Sequence, residues 1–193
     1  MRFMEVEIPG VLVVDVEAHA DDRGLFARTW CEREFAARGV AAPLVQCSVS
    51  FNQRAGTLRG MHYQAPPEPE GKLVRCTRGR IYDVVLDLRP DSPTYLRHLG
   101  VVLSAQNRRA VWIPEGCAHG FLTLEPESEV FYQMNRHFAP ELSRVVRWND
   151  PAFAIEWPGP VRAISPRDAT APDFNADESL HGLLRGERLC AHV

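Results

Sequence analysis

From about residue 45 to residue 150 the chain is made of short runs rich in Val, Ile, Leu, Tyr and Phe, broken by turn-forming residues. Apolar and polar positions alternate within these runs at period two, which predicts strands rather than helices. "GRIYDVVLDLRPDSPTY" is the clearest case: Tyr82, Val84, Leu86 and Leu88 fall on one face and Asp83 and Asp87 on the other, until Pro90, Asp91, Ser92 and Pro93 force a turn. "LGVVLSAQNRRAVWIPEGCAHGF" and "SEVFYQMNRHF" repeat the rhythm. Many short strands at this spacing predict an all-β sandwich or barrel. Helical patterns are sparse: "CEREFAARG" has an apolar stripe and a stop at Gly39, and "DESLHGLLRGERL" near the C-terminus is a fainter second case. With no internal repeat and no linker, and "QAPPEPEG" at 64 to 71 as the one concentrated loop, residues 1 to 193 are expected to form a single domain.

Composition narrows the function classes. A chain of 193 residues that is 45% hydrophobic and 24% charged has room for a sizeable core and is ordinary for a globular protein. The net charge of -3 leaves no basic footprint for nucleic acid, and the apolar runs are too short to cross a bilayer. The start, "MRFMEVEIPG", lacks the charged and apolar regions of a secretion signal, so a cytoplasmic location is expected. Cys31, Cys47, Cys76, Cys117 and Cys190 are odd in number and include no CxxC, which favours free thiols over disulfides or a structural zinc.

Candidate chemistry lies in "RGMHYQAPPEPEGKLVRCTRG" and "PEGCAHGF", whose layout resembles a cupin, the small jelly-roll barrel also described as a double-stranded β-helix. In a metal-binding cupin the first segment would supply His-x-His and a Glu, and the second another His. Here His62 is present but Gln64 stands where the second histidine would be, leaving His62, His119 and Glu68 or Glu70 as a depleted metal set.

"GTLRGMHYQ", "GKLVRCTRGRIYDVVLDLRPDSPTY", "IPEGCAHGF", "RWNDPAFAIEWP" and "ISPRDATAP", in this order, make the chain from about residue 5 to residue 175 resemble the dTDP-4-dehydrorhamnose 3,5-epimerase family. The resemblance implies a cupin-type jelly-roll barrel with a few short peripheral helices. It also implies a homodimer, no metal or organic cofactor, and a nucleotide-diphosphate 4-keto-6-deoxy sugar as substrate. A carbonyl at C4 acidifies the hydrogens at C3 and C5, so a base can remove one to give an enolate and an acid on the opposite face can return a proton with inversion. By resemblance, His62 is the base, Asp168 the carboxylate that supports it, Lys72 the cation at the developing oxyanion, and Tyr132 the acid. Arg59, His119 and Arg23 match positions that meet the substrate and its diphosphate. Phe26, Arg28, Gln46 and Phe138 match the nucleotide end.

Taken alone, each residue has a plainer role: His62 as a hydrogen-bonded strand histidine, Lys72 as a solvated strand-end lysine, Asp168 as a helix cap in "SPRD", and Tyr132 as a barrel-lining aromatic in phase with Val130 and Met134. Their joint occurrence favours the enzyme over a silent sugar-nucleotide binder or a metal-dependent cupin. His19, His98 and His181 match nothing and are expected to be surface or structural. Strand alternation sets a geometric condition. Arg59 and His62, three apart, point to opposite faces of a regular strand, so both can line one site only if the strand is irregular, with Gly60 the obvious place. The nucleotide end departs from the family pattern: Arg28 replaces a glutamate, Phe138 a tyrosine, and "QCS" at Gln46, Cys47 and Ser48 the usual "QDN". Arginine cannot accept a hydrogen bond from thymine N3, so thymine, guanine, cytosine and uracil all stay open as the base.

Overall fold

In the computed structural model, which describes residues 1–41 and 43–175, the predicted alternation becomes thirteen strands and two short helices among the described residues. In chain order these are β1 (Arg2–Glu5), β2 (Leu12–Asp15), β3 (Ala18–Asp21), β4 (Gly24–Ala27), α1 (Glu32–Ala36), β5 (Gln46–Asn52), β6 (Leu58–Gln64) and β7 (Lys72–Arg78). They continue as β8 (Arg80–Asp87), β9 (His98–Ser104), β10 (Ala110–Ile113), β11 (Cys117–Thr123), β12 (Ser128–Met134), β13 (Ser143–Val145) and α2 (Pro166–Ala169). The helical pattern "DESLHGLLRGERL", with His181, and Cys190 lie outside the described residues. Cys31, Cys47, Cys76 and Cys117 are free.

Two antiparallel sheets carry the fold, one in the order β1-β2-β10-β7-β12-β5 and the other β13-β6-β11-β8-β9, with β3 and β4 as a separate hairpin. This is the expected all-β jelly roll. It is closed by side chains packed between the sheets and not by one continuous hydrogen-bond ladder. Val74, Cys76, Ile81, Val85, Val111, Ile113, Phe121 and Val130 fill that interior, each large side chain contributing about 1.5–3 kcal/mol on burial.

The outer faces are also largely covered, which is why several strands read as continuous apolar runs. Phe35 of α1 packs with Leu73, Trp112 and Trp30 over the six-stranded sheet. Met61, Val84, Leu86 and Phe153 pack with Trp157 and Phe174 over the five-stranded one. The second face of β8, carrying Asp83 and Asp87, therefore turns into the barrel, and both carboxylates are fully buried. The predicted helix at "CEREFAARG" forms only over Glu32–Ala36, and the chain then turns through Gly39 at φ 83°.

Candidate active site

The site lies between the two sheets, near one end. A cavity of about 390 Å³ is lined by His62 and Gln64 from β6, Lys72 from β7, Tyr132 from β12, and Gln46 and Phe138 at its rim. His62 thus comes from one sheet while Lys72 and Tyr132 come from the facing one. A flat sugar ring held between them presents opposite faces to the histidine and the tyrosine.

His62 Nε2 lies 2.7 Å from Asp168 Oδ1. Asp168 sits in the first turn of α2, where Ser165 caps its backbone N–H and Pro166 presets the helical φ. The helix-cap reading of "SPRD" is realised, and the same cap holds the carboxylate in place behind the imidazole. Burial alone would raise the pKa of Asp168. The hydrogen bond and charge of His62, the Gly60 amide and Ser165 outweigh it, holding the carboxyl below its ordinary value. An ionised partner fixes the imidazole tautomer and supports the imidazolium that forms when the base takes a proton.

Tyr132 is opposite in tendency. Burial, reinforced by the nearby charge of Asp83 and only partly offset by Arg59, pushes its phenol far above the ordinary value. It stays protonated, as a proton donor must. Lys72 is buried and its Nζ meets Glu70 at 2.9 Å. Its ammonium is kept in a water-poor wall where it is worth most to an adjacent oxyanion.

The condition set by strand alternation is met. Between its pairings with β11, where His62 faces His119 and Arg59 faces Phe121, β6 places two residues, Gly60 and Met61, against the single Gly120 of its partner. The irregularity centres on Gly60 at φ 143°, where a Cβ would lie 2.5 Å from the Cα of Gly120. Arg59 consequently shares with His62 and Asp168 a second cavity of about 380 Å³ that adjoins the first at His62 and Arg167. Its Nε donates to Asn52 Oδ1 at 2.8 Å.

His119 is buried behind Tyr132, with ring centroids 5.9 Å apart, and its Nε2 meets Asp83 Oδ2 at 2.7 Å. The metal set considered from the sequence is divided: His119 pairs with Asp83, Glu70 with Lys72, and Glu68 with Arg136. Among the described residues no three His, Cys, Asp or Glu side chains converge in a metal-holding group. His98 is structural, its Nδ1 3.0 Å from the Phe153 carbonyl.

Three predicted residues are not brought to this cavity within one chain. Arg23, Phe26 and Arg28 lie on or beside the β3–β4 hairpin, which forms its own small sheet and is exposed along its length. Arg23 pairs with Asp21 and Arg28 with Glu34, while Phe26 is 77% exposed. The hairpin joins neither main sheet, so its sequence neighbours offer it no route to His62. Conversely, the structure adds Arg167, beside His62 in both cavities, and Asp83. Arg167 was visible only as the residue before Asp168, and Asp83 only as a carboxylate on a strand that proved to be covered on both faces.

The chain is similar over most of its length to known proteins. Residues 5–176 match the family model for dTDP-4-dehydrorhamnose 3,5-epimerase. The Shigella flexneri enzyme of that name is 39% identical over 175 residues, covering 90% of this chain and 96% of the relative. The crystal structure of dTDP-4-dehydrorhamnose 3,5-epimerase from Bacillus anthracis, with TDP and PPi bound, superposes with a TM-score of 0.87 at 36% identity, covering 90% of this chain and 99% of that one. dTDP-6-deoxy-D-glucose-3,5-epimerase from Legionella pneumophila, in complex with dTDP-4-keto-L-rhamnose, gives a TM-score of 0.83 at 34% identity over 88% of this chain and 90% of its own. The chain belongs to the dTDP-4-dehydrorhamnose 3,5-epimerase family.

Proposed function

We propose that this protein is an epimerase that inverts C3 and C5, the carbons flanking the C4 carbonyl of a dTDP-linked 4-keto-6-deoxy sugar. The observation that carries the reading is the placement of His62, backed by Asp168 at 2.7 Å, on one sheet, and of Tyr132 on the sheet that faces it across a single cavity.

The mechanism follows from the groups. His62 removes the proton from the carbon beside the carbonyl, becoming an imidazolium paired with ionised Asp168. The electron pair moves to the C4 oxygen, where Lys72 stabilises the enolate. Collapse of the enolate takes a proton from Tyr132 on the other face of the ring, so the centre is inverted. His62 then releases its proton to solvent, and Tyr132 regains one from solvent before the second centre is processed. Both steps are proton transfers, and no electrons enter or leave the substrate. Arg59 and Arg167, on the side of His62 and Asp168, are cations suited to the diphosphate. Gln46 and the exposed ring of Phe138 offer a hydrogen-bonding group and a stacking face to the base.

A homodimer completes this reading. Val45, Val49 and Phe51, on or beside the edge strand β5, are 40%, 64% and 45% exposed on the outer face of the six-stranded sheet, and Leu25 and Phe26 are exposed on the hairpin. Apolar groups in this number on a sheet edge call for a covering partner. A second copy would cover them and give Arg23, Phe26 and Arg28 a site to reach. The location is cytoplasmic, where nucleotide sugars are made; no helix among the described residues is long and apolar enough to cross a membrane.

The test is product analysis by proton NMR after incubation with dTDP-4-keto-6-deoxyglucose, with GDP-, CDP- and UDP-linked sugars as competitors. Inverted couplings at both carbons, selectively with the dTDP sugar, are expected. Binding without any turnover would establish the silent-binder alternative instead.

A further inference from the structure

We infer that Gln64 is a positioning residue for the nucleotide: it holds the backbone that presents Phe138 and so fixes the distance between the catalytic base and the stacking face. This rests on the reading of Phe138 as that face.

Gln64 stands where a metal-binding cupin would have its second histidine, and it is almost fully buried, with 5% exposure. Its amide is committed in three directions. Nε2 donates to the Glu68 carbonyl at 2.6 Å and the His137 carbonyl at 3.2 Å, while the Ala139 N–H donates to Oε1 at 2.9 Å. Both Nε2 hydrogens and an Oε1 lone pair are therefore used in tying two loops together. The peptide units gripped on one side are those of His137 and Ala139, which bracket Phe138. Gln46 closes the clamp, since the Phe138 N–H donates to its Oε1 at 3.0 Å. Phe138 is thus held by backbone hydrogen bonds on three consecutive residues while the residue stays 56% exposed at the cavity rim. An exposed aromatic on an otherwise free loop would lose conformational freedom on stacking with a base, and fixing the loop beforehand removes that cost. Gln64 is also two residues from His62 on β6, on the same strand face. One rigid strand therefore carries both the proton acceptor and the anchor of the stacking residue.

The experiment is a cycle of four proteins: the wild type, Gln64→Met, Phe138→Ala and the double variant. Each is measured for dTDP affinity by calorimetry and for kcat and KM on dTDP-4-keto-6-deoxyglucose. Gln64→Met keeps the shape and removes all three hydrogen bonds; it is expected to raise both the dTDP Kd and KM about tenfold while kcat stays within about threefold. In the double variant the Gln64 effect is expected to vanish, leaving the affinity of Phe138→Ala alone. Full additivity, or a fall in kcat at unchanged KM, overturns the inference, because it would mean direct substrate contact or general damage to the barrel. If Phe138→Ala weakens dTDP binding and Gln64→Met does not, the inference fails and the stacking reading stands. If Phe138→Ala leaves dTDP affinity unchanged, the stacking reading fails and the inference with it. Should Gln64→Met not fold, Gln64→Glu keeps an acceptor for Ala139 but turns a carboxylate oxygen on the Glu68 and His137 carbonyls in place of the two donated hydrogens. A rise in Kd at least as large, again absorbed by Phe138→Ala, is then expected, and additivity overturns the inference in the same way.

Discussion

His62 Nε2 and Asp168 Oδ1 stand 2.7 Å apart although 106 residues separate them in the chain. Because Asp168 is buried and held ionised, its removal leaves the imidazole without a fixed tautomer and its cation without a counter-charge. Asp168→Asn should lower kcat by about 10²–10⁴-fold with little change in KM. Steady-state kinetics check this, and a KM effect alone would speak against a supporting carboxylate.

Lys72 is the cation of the cavity wall that shares its sheet with Tyr132, and it should act on charge that exists only once the enolate forms. Lys72→Met keeps the stem and removes the ammonium; it should cost about 10²–10³-fold in kcat. dTDP affinity, measured by calorimetry, should hardly change. A loss of affinity with kcat intact would move Lys72 from the oxyanion to the phosphates.

Gly60 makes the Arg59–His62 geometry possible, at φ 143° and with no room for a Cβ against Gly120. Gly60→Ala should destabilise the fold by about 2 kcal/mol or more and lower Tm by at least about 4 °C. Thermal unfolding followed by circular dichroism measures it.

The candidate site was legible in the sequence because His62, Lys72 and Tyr132 sit in strand motifs and Asp168 in a helix-start motif, and the break at Gly60 followed from strand parity once Arg59 and His62 were taken to line one site. What was not legible depends on what covers a strand. The alternation in β8 shows two faces and does not say that both are buried, so the Asp83–His119 pair appeared only once the facing strands were in place. Gln64 read as a missing ligand because two of its three partners, His137 and Ala139, lie 73 and 75 residues further along the chain. Arg23, Phe26 and Arg28 matched by motif, yet no single-chain pattern reveals that their hairpin leaves the barrel.

Asp87 supports the fold, not the chemistry. It is fully buried and receives the Arg89 guanidinium fork and the hydroxyls of Ser92 and Thr94. Burial pushes its carboxyl up, but these donors outweigh burial and bring it down to about 2 from 3.8. A depressed carboxylate stabilises the native state above its unfolded pKa and loses that contribution as pH falls through the folded one. The stabilisation, about 2 kcal/mol, should therefore be complete above roughly pH 4 and fade towards pH 2. Urea titrations between pH 5 and pH 2.5 should show a steeper loss in the wild type than in Asp87→Asn, which starts lower; parallel curves would contradict the assignment.

The division of labour across the cavity is tested most directly by proton NMR in deuterium oxide with dTDP-4-keto-6-deoxyglucose. The wild type should replace the C3 and C5 hydrogens by deuterium with inversion, and His62→Ala should exchange neither. Tyr132→Phe should still exchange deuterium through His62 but return it to the face it left, so that label enters without inversion. Inversion by Tyr132→Phe at the wild-type rate, or exchange by His62→Ala at that rate, would contradict a base on one sheet and an acid on the other.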